Sequence, residues 1–170
     1  PEIDPEEHSL LVHGMVKRPL TFTMADLKRL PSTSRVAFIE CGGNSAGEYH
    51  AARGKEIHNM HGLVSSSEWT GVALSTVLRE AGLESGAAWL LAEGRDAAML
   101  SRSIPLEKAL DDAVLAYAQN GEALRPEQGY PLRLLLPGWE GITNVKWLHR
   151  LDVSDAPFQT REETSHYTDL

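Results

Sequence analysis

The chain has 170 residues and is 42% hydrophobic, enough for one domain with its own core. Its net charge of −8 argues against nucleic acid or an anionic membrane as main partner, and any bound anion must meet a local basic cluster. A single cysteine, Cys41, excludes an internal disulfide and a cysteine-built zinc or iron–sulfur site; there is no CxxCH run for c-type haem in this chain and no apolar run long enough to span a membrane.

Residues 1–9 read as a polar, acidic N-terminal arm ahead of one domain over 10–170. The chain opens on Pro1 without a methionine, so the lack of a visible targeting signal does not settle localisation. The first β-rich run is Ser9 to Val16, and a second covers Leu20 to Thr23. Thr23 to Leu30 reads as a short helix, with Thr23 as N-cap, Asp26 at N3 and Pro31 ending it. Arg35 to Glu40 is a strand that delivers the chain to Cys41. Gly42 to His61 has no clear period and reads as a long irregular loop, a feature uncommon unless functional. Val72 to Ala81 has helical spacing and ends at Gly82. Strands are expected over Ala88 to Ala92, Ala113 to Ala118, Leu132 to Leu136 and Val145 to Val153, with a helical turn over Leu106 to Leu110 and a turn at Asn120-Gly121. Little regular structure is expected from Ser154 onward. The pattern gives an α+β fold, mostly β, with mixed sheets, short helices and long loops.

Cys41 stands where an apolar strand meets a glycine loop (Glu40-Cys41-Gly42-Gly43-Asn44), so its side chain is held rigidly yet stays reachable. A lone cysteine is more often a small buried hydrophobe, and a thiol nucleophile with a histidine base is a further reading. His50, His58 and His61 follow it, but their spacing fits no zinc pattern. A second constellation, Gln128 to Arg133 and then Pro137 to Trp147, sets glycines, amides, Arg133 and Lys146 between two strands. Such loops hold a phosphate or a polar heterocycle, or are ordinary strand connections with surface cations.

Taken in order, these pieces resemble the molybdopterin-binding domain of the sulfite oxidase family. The resemblance runs through Glu40–Asn44, Glu68-Trp69-Thr70-Gly71-Val72, Glu93-Gly94-Arg95-Asp96, Ser103-Ile104-Pro105-Leu106, Leu115–Gly121, Gly129–Arg133 and Gly141–Trp147. Leu91–Gly94, Arg102–Asp112 and Arg161–Ser165 are most similar to the molybdenum subunit of sulfane dehydrogenases of the thiosulfate-oxidising Sox system. The resemblance implies a molybdenum–molybdopterin cofactor and no haem in this chain. Cys41 then matches the molybdenum ligand. Asn44, Asp96, Gln128, Arg133, Asn144, Val145 and Lys146 match cofactor-binding positions, and Tyr167 loosely matches the tyrosine beside the metal. The implied activity is oxidation of sulfane sulfur on a carrier protein's cysteine, with electrons passing to a c-type cytochrome subunit in the periplasm. Sulfite oxidation and a cofactor-free binding or assembly module are the alternatives.

Three departures sharpen this. Gln128 stands where sulfite oxidases have histidine, so that group cannot carry charge. Ala46 stands where they have an arginine that clamps sulfite, which favours a neutral or protein-bound sulfur substrate. The family's Arg-Asn-His segment is not found before Leu10, and the C-terminal immunoglobulin-like domain that makes full-length members homo-oligomers is expected to lie outside this sequence.

Overall fold

A computed structural model describes residues 1–49 and 56–165, with 47, 49, 58 and 59 by backbone only. The fold is α+β, as expected, and rests on two β-sheets. The first sheet takes β1 (Ser9–Gly14), β2 (Leu20–Thr23), β5 (Trp89–Gly94), β6 (Ser101–Pro105) and β10 (Leu148–Ser154), in the order β2-β1-β10-β5-β6. Its β1–β10 pair is parallel and the rest are antiparallel. The second sheet takes β3 (Ser32–Glu40), β4 (Val64–Ala73), β7 (Val114–Gln119) and β8 (Glu122–Ala123) in that order, with β9 (Arg133–Leu135) also pairing β7.

Local chemistry sets several boundaries. Helix α1 (Met24–Arg29) begins at a full capping box, in which Thr23 Oγ1 accepts from the Asp26 N–H and the Asp26 carboxylate accepts from the Thr23 N–H. Helix α4 (Leu74–Ala81) buries Leu74, Val77, Leu78 and Ala81 and ends at Gly82, whose φ of +73° suits a residue without Cβ. Asn120 and Gly121 both have positive φ and turn β7 into β8. The main core packs Leu10 and Val12 of β1, Leu151 and Val153 of β10 and Leu90 and Ala92 of β5 against Val72, Leu115 and α4. On the other face of the second sheet, Trp69, Val114, Ala116, Leu124 and Leu135 form a smaller cluster.

Several expectations change. Val72 and Ala73 end β4 rather than begin the helix, because Val72 pairs with β3 and β7 and Ala73 with β7. β1 stops at Gly14, and Val16 makes only a single bridge to Leu83. β10 starts at Leu148, not Val145, since Val145 to Trp147 follow a 3-10 turn (Gly141–Thr143) and Trp147 has φ of +53°. The stretch after Cys41 is not wholly irregular, for it holds α2 (Ala46–Tyr49) and α3 (Ile57–Met60). Likewise α6 (Arg161–Ser165) follows Ser154, tied back to β6 through Ser103 N–H and Glu163. The expected turn after β6 is α5 (Leu106–Asp111). The arm contributes more than polarity, since His8 is fully buried.

Candidate active site

The edge strand β3 carries Cys41 to the surface, where its thiol is exposed. Cys41 N–H donates to the Leu63 carbonyl at 3.0 Å, and the Asn44 N–H donates to the Cys41 carbonyl at 2.8 Å. The Asn44 side chain completes the tie, with Oδ1 accepting from Leu63 N–H at 3.1 Å and Nδ2 donating to Glu40 Oε1 at 2.7 Å. The loop 138–144 presses on this strand end. A Cβ on Gly42 would fall on the Glu140 carboxylate, and one on Gly141 would lie 3.0 Å from the Glu40 carbonyl. Gly141 thus lets the two backbone segments meet, and Gly42 leaves room for the Glu140 side chain.

Beyond Cys41 lies a cavity of about 320 Å³ walled by Ile39, Ser65, Gln128, Arg133, Asn144 and Lys146. A wider cleft of about 540 Å³, which includes Cys41, shares Ile39, Ser65 and Gln128 with it, so the two adjoin. Arg133 is its electrostatic centre, with only 3% of its surface exposed. Its guanidinium lies 4.8 Å from the Trp69 ring centroid. Nη1 donates to Gln128 Oε1 and to its carbonyl, both at 3.0 Å, and Nη2 donates to the Asn144 carbonyl at 3.1 Å. Nε has no hydrogen-bond partner, and among the described residues no carboxylate pairs with the group. Burial alone pushes its pKa down to about 10, so it stays a cation at neutral pH. Lys146 stands at the rim, its backbone fixed by two glycines. A Cβ on Gly129 would sit 2.8 Å from Lys146 Cβ, and one on Gly94 would sit 2.5 Å from the Lys146 carbonyl. Its ammonium donates to the Glu127 carbonyl at 3.0 Å and lies over the Trp147 ring. Partial burial, then the Arg133 charge, lower its pKa.

Residues 1–162 match the family model described as the oxidoreductase molybdopterin-binding domain. The chain belongs to that family. It is 38% identical over 176 residues to the mitochondrial sulfite oxidase of Drosophila melanogaster, matching 98% of the chain and 30% of the relative. It is 35% identical over 174 residues to a nitrate reductase of Ulva prolifera, matching 94% of the chain and 20% of the relative. The crystal structure of the sulfane dehydrogenase SoxCD from Paracoccus pantotrophus superposes with a TM-score of 0.95 at 46% identity, over 100% of this chain and 44% of that one. The chain therefore spans less than half the length of each of these relatives. The site suits the cofactor that names the family: a buried guanidinium with a free N–H and no carboxylate faces a cavity, and an exposed soft thiolate donor shares the adjoining cleft. A molybdopterin carries both a phosphate and polar ring edges to meet them.

The structure brings together Cys41, Gln128, Arg133, Asn144 and Lys146, but gives the rest other surroundings. Asn44 pins the cysteine loop rather than lining the inner cavity. Asn144 is 2% exposed and spends its side chain on Leu136 N–H and the Glu140 carbonyl, so only its backbone serves Arg133. Val145 is fully buried in the core, where its carbonyl accepts from Leu134 N–H. Asp96 Oδ1 accepts from Leu100 N–H at 3.0 Å and closes its own turn beside the cavity wall. Tyr167 and His50 lie outside the described residues, as does the side chain of His58. His61 Nδ1 meets Ser45 Oγ at 2.8 Å and its Nε2 meets Glu48 Oε1 at 2.9 Å, so it ties α2 to the loop instead of facing Cys41. Ala46 opens α2, and no arginine clamp extends from that position. Sequence reasoning missed Trp69 as the plate under Arg133. It also missed Glu40 and Glu140, which share a groove with Cys41. The run Glu68-Trp69-Thr70-Gly71 was visible, but nothing local in it points to an arginine 64 positions on.

Proposed function

We propose that this domain holds a molybdenum–molybdopterin cofactor through the Cys41 thiolate and oxidises sulfane sulfur carried on a partner protein's cysteine. The observation that carries the reading is the buried Arg133, which among the described residues has no carboxylate partner, in a cavity that adjoins the cleft of the exposed Cys41. Cys41, Gln128, Arg133 and Lys146 would hold the cofactor, with the Asn144 backbone setting Arg133. Asn44, Asp96 and Val145 act one step back by fixing the loops. Tyr167 is assigned beside the metal on resemblance alone. The bound group supplies two-electron chemistry, in which each oxygen added to sulfur comes from water and releases two electrons and two protons. Arg133 would neutralise the cofactor's negative charge from a buried position, and Lys146 would do so at the rim. Gln128 orients the guanidinium without adding charge of its own. The likeness to sulfane dehydrogenase at 46% identity supports the substrate class. The alanine at position 46 supports it too, since a clamp for free sulfite is lacking there. The domain unit is residues 10–170 with a short arm ahead of it. A c-type cytochrome as electron acceptor and a periplasmic site belong to the same proposal.

The test uses the full-length protein. One molybdenum per chain by mass spectrometry is expected, with none in Cys41→Ser. Turnover by a metal-loaded Cys41→Ser protein would sink the reading. Steady-state rates with a persulfidated carrier protein should exceed those with sulfite. Sulfite is the second reading, favoured by the 38% identity with a sulfite oxidase, and the reverse order of rates would select it.

A further inference from the structure

Strand β3 is a wall with two faces. Ala37 and Ile39 point inward, where Ile39 lines the candidate cavity and both pack toward Trp69. Val36 and Phe38 point the other way and are 70% and 54% exposed. The antiparallel register sets Glu68 opposite Val36, Ser66 opposite Phe38 and Val64 opposite Glu40, and Val64 is 45% exposed. This apolar patch runs into a groove of about 300 Å³ that Phe38 shares with Glu40, Cys41, Trp139 and Glu140. Among the described residues, the charged members of patch and groove are the glutamates Glu40, Glu68 and Glu140. An apolar centre with charge of one sign at its rim is the makeup of a transient protein interface, where the rim steers encounter and the centre gives short-lived contact.

We infer that this outer face of β3 and β4 docks a one-electron acceptor protein whose own face is apolar and ringed by lysine or arginine. Two observations select that occupant. The described glutamates Glu40, Glu68 and Glu140 ask for a basic partner. The patch also backs onto the cavity wall through the thickness of one strand, because Ile39 lines the cavity while Val36 and Phe38 face outward, so an acceptor seated there has a short path to it. The inference rests on the redox reading above, but its test does not need the sulfur substrate.

Full-length, molybdenum-loaded protein is reduced with dithionite, desalted and mixed in a stopped-flow instrument with mammalian cytochrome c, a small basic haem protein. One electron passes to each ferric haem, so two cytochromes are reduced for each two-electron-reduced centre. The second-order rate should fall about tenfold or more between 20 and 200 mM salt, as steered encounter requires. Phe38→Ser and Glu68→Lys should each lower that rate about tenfold at low salt, while reduction of dichlorophenolindophenol, a small dye, stays unchanged. Equal rates for variant and parent with cytochrome c would overturn the inference. So would a shift of Phe38→Ser in sedimentation velocity with unaltered cytochrome kinetics, because the face would then join copies of this chain. A protein that loads no molybdenum would instead defeat the cofactor reading, and the two failures are thus distinct.

Discussion

Arg133 is a cation with only 3% of its surface exposed, and its arrangement predicts what replacement does. Arg133→Met removes the donors to the Gln128 and Asn144 carbonyls and leaves the buried Asn144 acceptor unpaired, which should cost about 1–3 kcal/mol in urea unfolding. Arg133→Lys keeps charge but not the planar fork or the flat stack on Trp69. Its cofactor content, read as pterin fluorescence per chain, should fall about tenfold, in the range that supporting contacts carry. The sequence made Arg133 legible as a cation between two strands. It did not show the Trp69 plate, because that depends on β4 and β9 both pairing with β7. Asn144 shows the opposite failure. An amide in a glycine-rich loop suggests a ligand contact, yet the fold uses it to brace the turn that carries Arg133's acceptor.

Elements declared by local chemistry were the easiest to foresee. The Thr23–Asp26 capping box was visible in sequence, and Thr23→Ala should cost about 1 kcal/mol with the fold intact, measurable by the urea midpoint. β4 was missed because Ser65-Ser66-Ser67 breaks any apolar alternation, and its strand character comes from β3 and β7 on its two edges. Those edges meet closely at Gly71, where an added Cβ would fall on the Leu115 carbonyl. Gly71→Ala should therefore force the β4–β7 pair apart and cost about 1–3 kcal/mol, seen as a lowered melting temperature. The end of β10 has a pH signature. His8 Nε2 donates to the Leu148 carbonyl at 2.9 Å, and burial lowers its pKa from the usual 6.5. Burial does the same to His149, partly offset by Glu93. Both folded values lie below the unfolded one, so the unfolded chain binds protons first as pH falls. Stability is full above about pH 6.5, declines below it, and levels off beneath the folded values. A smaller loss between pH 7.5 and 5.5 in His8→Gln, by chemical denaturation, is the expected outcome.

At the scale of the molecule, the α+β class followed from many short runs and few helices, while strand order did not, since pairing partners lie far apart in sequence. The candidate site is built from strands of the second sheet, through Ile39, Ser65 and Arg133, and from the loops that leave them. A ligand filling it should stabilise that sheet, so stripping the cofactor should lower the melting temperature, checked by calorimetry of loaded and stripped protein. The first sheet has a different dependence. β1 lies between β2 and β10, and Leu11 pairs with Arg150 in parallel, so an early strand waits for one of the last. Until Leu148 to Ser154 have been made, β1 and β5 each leave a row of backbone groups unpaired. A nascent chain halted before Leu148 thus presents two open edges, and folding of this sheet is bound to completion of translation through that strand.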